Sequence, residues 1–246
     1  MSSLSPTARV VLSLCLGRLV SPLTHPSWRH LLRRQSSFLS ESRRPSASSM
    51  TALVPGILRD VVNKGDTVID ATCGNGYDSF TLAALALEPD RGFLICYDIQ
   101  TAAIAATKSR LSSLRCVTEQ NVDLRCENHK DLGRDLEEGS VKAIVYNLGY
   151  LPGGDKSIIT RTEETLQSLN NALSLITRGG LISVMCYQGH EGGREELKMV
   201  EAWSCGLDCE LFIVQRHQLW NRPLAPILFT IYRNELSKKE PPRRKE

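Results

Sequence analysis

The stretch Thr67-Val68-Ile69-Asp70-Ala71-Thr72-Cys73-Gly74-Asn75-Gly76 decides how the rest of the chain is read. Its first residues, apolar or β-branched, make a short strand that runs straight into a glycine-containing turn. A helix is predicted to follow from Tyr77 to Leu87. Gly74 and Gly76 can take positive φ and let a ligand approach the backbone. A strand, a glycine turn and a helix in this order mark the ligand edge of an open α/β sheet, beyond the carboxyl ends of its strands.

The charges around the turn narrow the ligand. A nicotinamide loop uses Gly-x-Gly-x-x-Gly to seat a pyrophosphate on the helix N-terminus. Here Ser79 stands in the third place, and Asp70 and Asp78 flank the loop. Acids repel a pyrophosphate but suit S-adenosylmethionine, which carries an ammonium and a sulfonium. Asp70, at the strand's end, is set to accept from the ammonium or to order the loop. The second strand closes at Asp98, 22 residues past Gly76, where a carboxylate can accept both ribose hydroxyls. The cofactor set expected is Asp70, Thr72, Gly74, Asn75, Gly76, Asp78, Asp98 and Gln100, with Asn147 from a later strand.

Working outward, Leu53 to Val62 reads as a helix ended by Asn63-Lys64-Gly65. Strands are predicted at 92–97, at Cys116-Val117-Thr118, at 141–146 and at 181–187. Helices are predicted over Ala102 to Leu114, Glu163 to Ile176 and Arg194 to Trp203. Leu166, Leu169, Leu173 and Ile176 carry the helical spacing of the second of these, and Gly179-Gly180 reads as its stop. Strands and helices alternate, which predicts a mostly parallel sheet covered on both faces. Two closing strands, Cys209 to Gln215 and Pro226 to Tyr232, have no helix between them. The α/β fold expected is therefore Rossmann-like: seven strands, mostly parallel, with an antiparallel C-terminal strand. That mixed ending resembles class I methyltransferases.

A second motif follows the fourth strand: Asn147-Leu148-Gly149-Tyr150-Leu151-Pro152-Gly153-Gly154-Asp155. It is similar to the Asn-Pro-Pro-Tyr loop of amino-methyltransferases, and the chemistry makes sense of it. An amine attacks a methyl through its lone pair, so the site needs acceptors that orient its N–H groups. The Asn147 amide oxygen and the Leu148 carbonyl could accept, while Tyr150 could stack on a base. Asp155 or His190 could take the proton. His190 lies in Tyr187-Gln188-Gly189-His190-Glu191-Gly192-Gly193, a glycine-hinged loop that leaves the fifth strand at the same sheet edge. The catalytic candidates are thus Asn147, Tyr150, Asp155 and His190.

Composition sets the surroundings. The 246 residues carry a net charge of +3, but residues 1–49 hold seven arginines against the single acid Glu41. Without that +6 the remainder is about −3, so the basic balance does not argue for nucleic-acid binding by the folded body. An arginine- and serine-rich, acid-poor start reads as an organelle transit peptide; the arginines lean to the mitochondrion, which is the compartment expected, and the serines to the chloroplast, which is the alternative. The domains expected are a transit peptide or disordered leader over 1–49, a methyltransferase domain over 50–235 and a basic, disordered tail over 236–246. No apolar run approaches the roughly 20 residues of a membrane span. The eight cysteines form no Cys-x-x-Cys pair, which favours reduced thiols over a metal site.

Residues 50–235 resemble the family labelled rRNA methylase. The likeness rests on Asp70 to Asp78, on Asn147 to Lys156 and on Gly189-His190-Glu191-Gly192-Gly193. Studied bacterial members methylate the aminomethyl group of the wobble uridine in tRNA, with S-adenosylmethionine as donor. The resemblance implies the same target class here: a primary amine on a modified base, with tRNA bound at its anticodon region. A homodimer is compatible with this reading, and neither a membrane nor a metal is implied. The chain departs from the family at Gln188, where His is frequent, and at Asn221-Arg222-Pro223-Leu224-Ala225-Pro226, where an Asn-Asn-Pro-Pro run is frequent. The competing readings are methylation of rRNA or of a small amine, and a cofactor-binding scaffold without catalysis.

Overall fold

A computed structural model describes residues 50–149 and 160–241. In chain order the elements are α1 (Val54–Val61), β1 (Thr67–Asp70), α2 (Tyr77–Ala86), β2 (Phe93–Tyr97), α3 (Thr101–Leu111), β3 (Val122–Arg125), β4 (Val141–Leu148), α4 (Thr162–Leu175), β5 (Ile176–Cys186), α5 (Gly193–Cys205), β6 (Phe212–His217) and β7 (Ile227–Arg233). The strands form one sheet in the order β3-β2-β1-β4-β5-β7-β6. All pairings are parallel except those of β7, which runs antiparallel to both β5 and β6. This is the expected seven-stranded sheet, with the C-terminal strand inserted before the edge. Among the described residues no helix is long and apolar enough to cross a membrane.

Both faces of the sheet are buried, and the strands show why they read as continuous apolar runs. Alternate residues feed opposite cores. Ile69, Ile95, Tyr97, Ile144 and Tyr146 face one side, with Leu169 and Leu173 of α4 and Val200 of α5. Val68, Leu94, Cys96 and Val145 face the other, with Leu58 of α1, Leu82 of α2 and Leu111 of α3. The helices are cut to fit. Buried Ala103, Thr107 and Leu111 recur every fourth residue along α3, a stripe that lies flat on the sheet.

Two local expectations are corrected. Cys116-Val117-Thr118 is not a strand; the third strand is Val122–Arg125, paired with β2. Asn121 makes the difference. Its Oδ1 accepts from Thr118 N at 2.8 Å, and its Nδ2 donates to the carbonyls of Cys116 (2.8 Å) and Glu88 (3.0 Å). That side chain bends the apolar segment into a turn, and the edge strand behind it is only half-buried.

Gly179 and Gly180 do not stop α4, which already ends at Leu175; both lie inside β5. The pairing of β5 with β4 is irregular between Val141 and Ala143. Gly179 takes a φ of +66°, and a Cβ on Gly180 would stand 2.8 Å from the Lys142 and Thr177 carbonyls. The glycines serve the irregular entry of the strand. The described part of the 236–246 segment is tied to the sheet: Glu240 pairs with Arg178 (2.7 Å) and with Arg233 (2.6 Å).

Candidate active site

The carboxyl ends of β1, β2, β4 and β5 bring most of the sequence-derived residues to one edge. The turn after β1 is built by its own backbone and by its neighbours. Asp70 is buried; it accepts from Ser79 Oγ at 2.6 Å and from Thr72 N at 3.3 Å. Both contacts lie within the turn and the helix that follows it, so this carboxylate ties the loop to α2. Gly76 caps α2 with a φ of +76°, and an added Cβ would meet Thr107 Cα at 2.8 Å. Only glycine fits there. Thr107 Oγ1 donates to Gly74 O at 3.1 Å, and Arg110 Nε donates to Asn75 O at 2.7 Å. Arg110 also lies over the ring of the exposed Tyr77, 3.6 Å from its centre.

Asp98 joins this turn to α3. Its Oδ2 accepts from Gly74 N at 3.0 Å, and its Oδ1 from Gln100 N at 2.9 Å. Each carboxylate oxygen has a second lone pair, so the group can still accept from hydroxyls. Burial raises the pKa values of Asp70, Asp78 and Asp98 together, and Asp70, pressed also by Asp78 and Asp98, is pushed up to about 7. Three crowded acids beside a glycine turn fit a cationic ligand with a ribose. They do not fit a pyrophosphate.

Asn147 is fixed from both ends. Its backbone N donates to Thr72 Oγ1 at 2.7 Å, and its side-chain Nδ2 donates to Asp78 Oδ2 at 2.7 Å. With the amide nitrogen committed, Oδ1 is left as the acceptor at the end of β4. Tyr150 and Asp155 lie outside the described residues.

His190 sits beside the end of β4. A Cβ on Gly149 would stand 3.1 Å from its Nε2, and one on Gly193 would stand 2.9 Å from the same atom. Its Nδ1 pairs with the Glu191 carbonyl at 2.8 Å. Sequence reading missed the strut behind this corner. Gly149 N donates to Thr160 Oγ1 (3.0 Å), Thr160 donates to Glu196 Oε2 (2.8 Å), and Thr165 donates to Glu196 Oε1 (2.8 Å). Glu196 is buried on α5, and burial raises its pKa while its two threonines and His190 oppose the rise. Tyr187, which opens the His190 loop, is half-buried, and its phenol pKa is raised by burial and by Asp78.

Residues 94–233 match the sequence family described as Putative rRNA methylase. A curated relative from Arabidopsis thaliana is 42% identical over 184 residues, covering 73% of this chain and 67% of its own length. The chain belongs to the rRNA methylase family. That relative is named tRNA (mnm(5)s(2)U34)-methyltransferase, chloroplastic. Among solved structures, a family member from Clostridium thermocellum is 39% identical with a TM-score of 0.70, covering 75% of this chain and 97% of the other. A structure from Streptococcus mutans described as a putative methyltransferase in complex with SAH is 30% identical with a TM-score of 0.65, covering 74% of this chain and 97% of the other. As a member of the family the chain is a methyltransferase, and its seven-stranded mixed sheet matches the fold of these solved relatives.

Proposed function

We propose that this protein transfers a methyl group from S-adenosylmethionine to the exocyclic amine of a modified wobble uridine in tRNA, inside an organelle. The observation that carries the reading is Asn147: Asp78 and Thr72 hold it so that its Oδ1 is the acceptor beside the cofactor turn. An amine substrate offers N–H donors, and an aligned acceptor orients its lone pair toward an electrophile. S-adenosylmethionine, when bound, supplies that electrophile as a sulfonium methyl. Asp98 would hold its ribose, while Thr72, Gly74, Asn75, Gly76 and Gln100 would shape the pocket around it. Asp78 and Asp70 would supply the negative field its charges need.

The amine must be neutral to attack, and in this reading His190, whose ring lies against Gly149, accepts its proton. Tyr150 and Asp155 keep the roles their motif gives them: a stacking face and a second proton acceptor. The catalytic domain of this reading spans 50–235, behind a leader over 1–49. The chloroplast address in the relative's name favours that compartment over the mitochondrion toward which composition leaned.

Methyl transfer from labelled S-adenosylmethionine to tRNA bearing 5-aminomethyl-2-thiouridine tests the proposal, with unmodified tRNA as control. The expected result is label on the modified tRNA alone, lost in Asn147→Ala. Label on ribosomal RNA or on small amines instead would overturn it.

A further inference from the structure

The hairpin that closes the sheet sets its tip beside the candidate site. Because β7 runs against β5, Ile227 at its start stands opposite Cys186 at the end of β5. Residues 218–226 therefore emerge at the edge that carries Gly74, Asn147 and His190. The tip is anchored twice: Leu219 packs on the core below, and Gln188 Nε2 donates to Ala225 O at 3.0 Å. Between these anchors the backbone makes two turns, Arg222 N to Leu219 O and Ala225 N to Arg222 O, each 3.0 Å. They hold Trp220 out at 89% exposure and Leu224 at 63%. Arg222, between them, is also exposed.

An aromatic body this large is ordinarily buried over most of its surface. Held out on an anchored turn, next to a site, it is a surface that expects a partner. A stable contact between protein copies needs roughly 800 Å² of packed surface on each side. Among the described residues the other exposed large apolar side chains stand on separate elements, such as Ile99 and Leu236, or, as Ile213 does, at the far end of β6, so among them no such continuous face forms around the tip. One indole with one arginine fits a smaller object. A single-stranded nucleotide offers a flat base to stack and a phosphate to pair.

A base that reaches a methyl donor at this edge must leave its stack, and its neighbour then needs a new stacking face. We propose that the β6–β7 tip is that platform: Trp220 stacks on a base adjacent to the target nucleotide, and Arg222 meets the backbone phosphate. The inference rests on the RNA-amine reading above and adds the surface that recognises the RNA.

Fluorescence anisotropy of a labelled anticodon stem-loop, with the full chain, tests it. Replacing a stacking aromatic by alanine costs about tenfold or more in affinity. Trp220→Ala is expected to weaken RNA binding by that factor, and Trp220→Phe to recover most of it. Arg222→Ala is expected to lower the slope of log affinity against log salt by about 0.7, the contribution of one single-strand phosphate contact; Trp220→Ala should leave that slope unchanged. Cofactor affinity should be the same in all variants. Unchanged RNA affinity in Trp220→Ala overturns the platform. So does a change in oligomeric mass by light scattering with RNA affinity intact, which would assign the tip to a contact between copies. Methyl transfer by the unaltered chain is read separately. Its absence from modified tRNA, with the Trp220 effect present, would sink the amine reading and leave the platform standing.

Discussion

The side-chain amide of Asn147 donates to the Asp78 carboxylate at 2.7 Å, joining the end of β4 to the first turn of α2. The bond fixes which way the amide points, so in the proposed site the acid next to the cofactor turn would also set the acceptor for the substrate. One residue would then serve two ligands.

That double role separates two variants. A hydrogen bond to a charged group contributes about 1.5–3 kcal/mol, so Asp78→Ala should lower kcat by about tenfold or more as the amide loses its anchor. Asp78→Asn keeps an acceptor oxygen and should recover part of kcat, while both variants bind S-adenosylmethionine more weakly for want of the charge. Steady-state kinetics beside calorimetric titration would show the split; equal kcat in the two variants would remove the hydrogen bond from the account.

Gly76→Ala should damage the fold and the cofactor site together. Left-handed backbone costs a residue with a side chain about 1–2 kcal/mol, and the new Cβ would also press on Thr107 Cα at 2.8 Å. At roughly 2–4 °C per kcal/mol for a domain of this size, Tm should fall by about 5 °C or more. Gly189→Ala, with open space around it, is the control and should leave Tm in place. Thermal unfolding followed by circular dichroism measures both.

The pH dependence of cofactor binding should follow Asp70. Its carboxyl is pushed up to about 7, first by burial and then by Asp78. A cation nearby favours the ionised form, so affinity should fall as pH drops through that value, by at most about tenfold per unit for one proton. Asp70→Asn should flatten the profile. The sign for stability without ligand is the opposite: the folded state holds a proton that the unfolded carboxyl, with its ordinary value of 3.8, has released. Asp70 thus adds stability as pH falls from about 7 toward 4. His129, whose pKa burial lowers to about 4, removes stability as pH falls through the window from 6.5 to that value. In Asp70→Asn the His129 loss should stand uncompensated, and denaturant titrations across this range would show it.

Glu196 should prove a positioning residue. Glu196→Ala strands the hydroxyls of Thr160 and Thr165, at about 1–3 kcal/mol for unmet buried donors, and frees the Gly149 corner. Transfer should drop while cofactor affinity holds, and Glu196→Gln, which keeps one acceptor, should fall between. Loss of cofactor affinity in step with activity would instead make the strut part of the general fold.

The sheet and its cofactor turn were legible because their signals are local. Alternating apolar runs name buried strands, and Gly74 and Gly76 announce a turn that Thr107 later proves necessary. The third strand misled because Asn121 spends three hydrogen bonds on bending the more apolar segment. Gly179-Gly180 misled because a helix stop and an irregular strand entry ask for the same residue. Glu196 gave no signal: beside Glu195 in the first turn of α5 it reads as a solvated acid, and only Thr160 and Thr165, distant in sequence, make it a buried hub.

The inserted strand divides labour along the chain. The turn after β1, Asp98 and Asn147, which would hold the methyl donor, are complete by the end of β4, whereas the tip with Trp220 joins β6 and β7. Residues 218–226 can therefore be exchanged for another surface while every residue that would hold the donor stays in place.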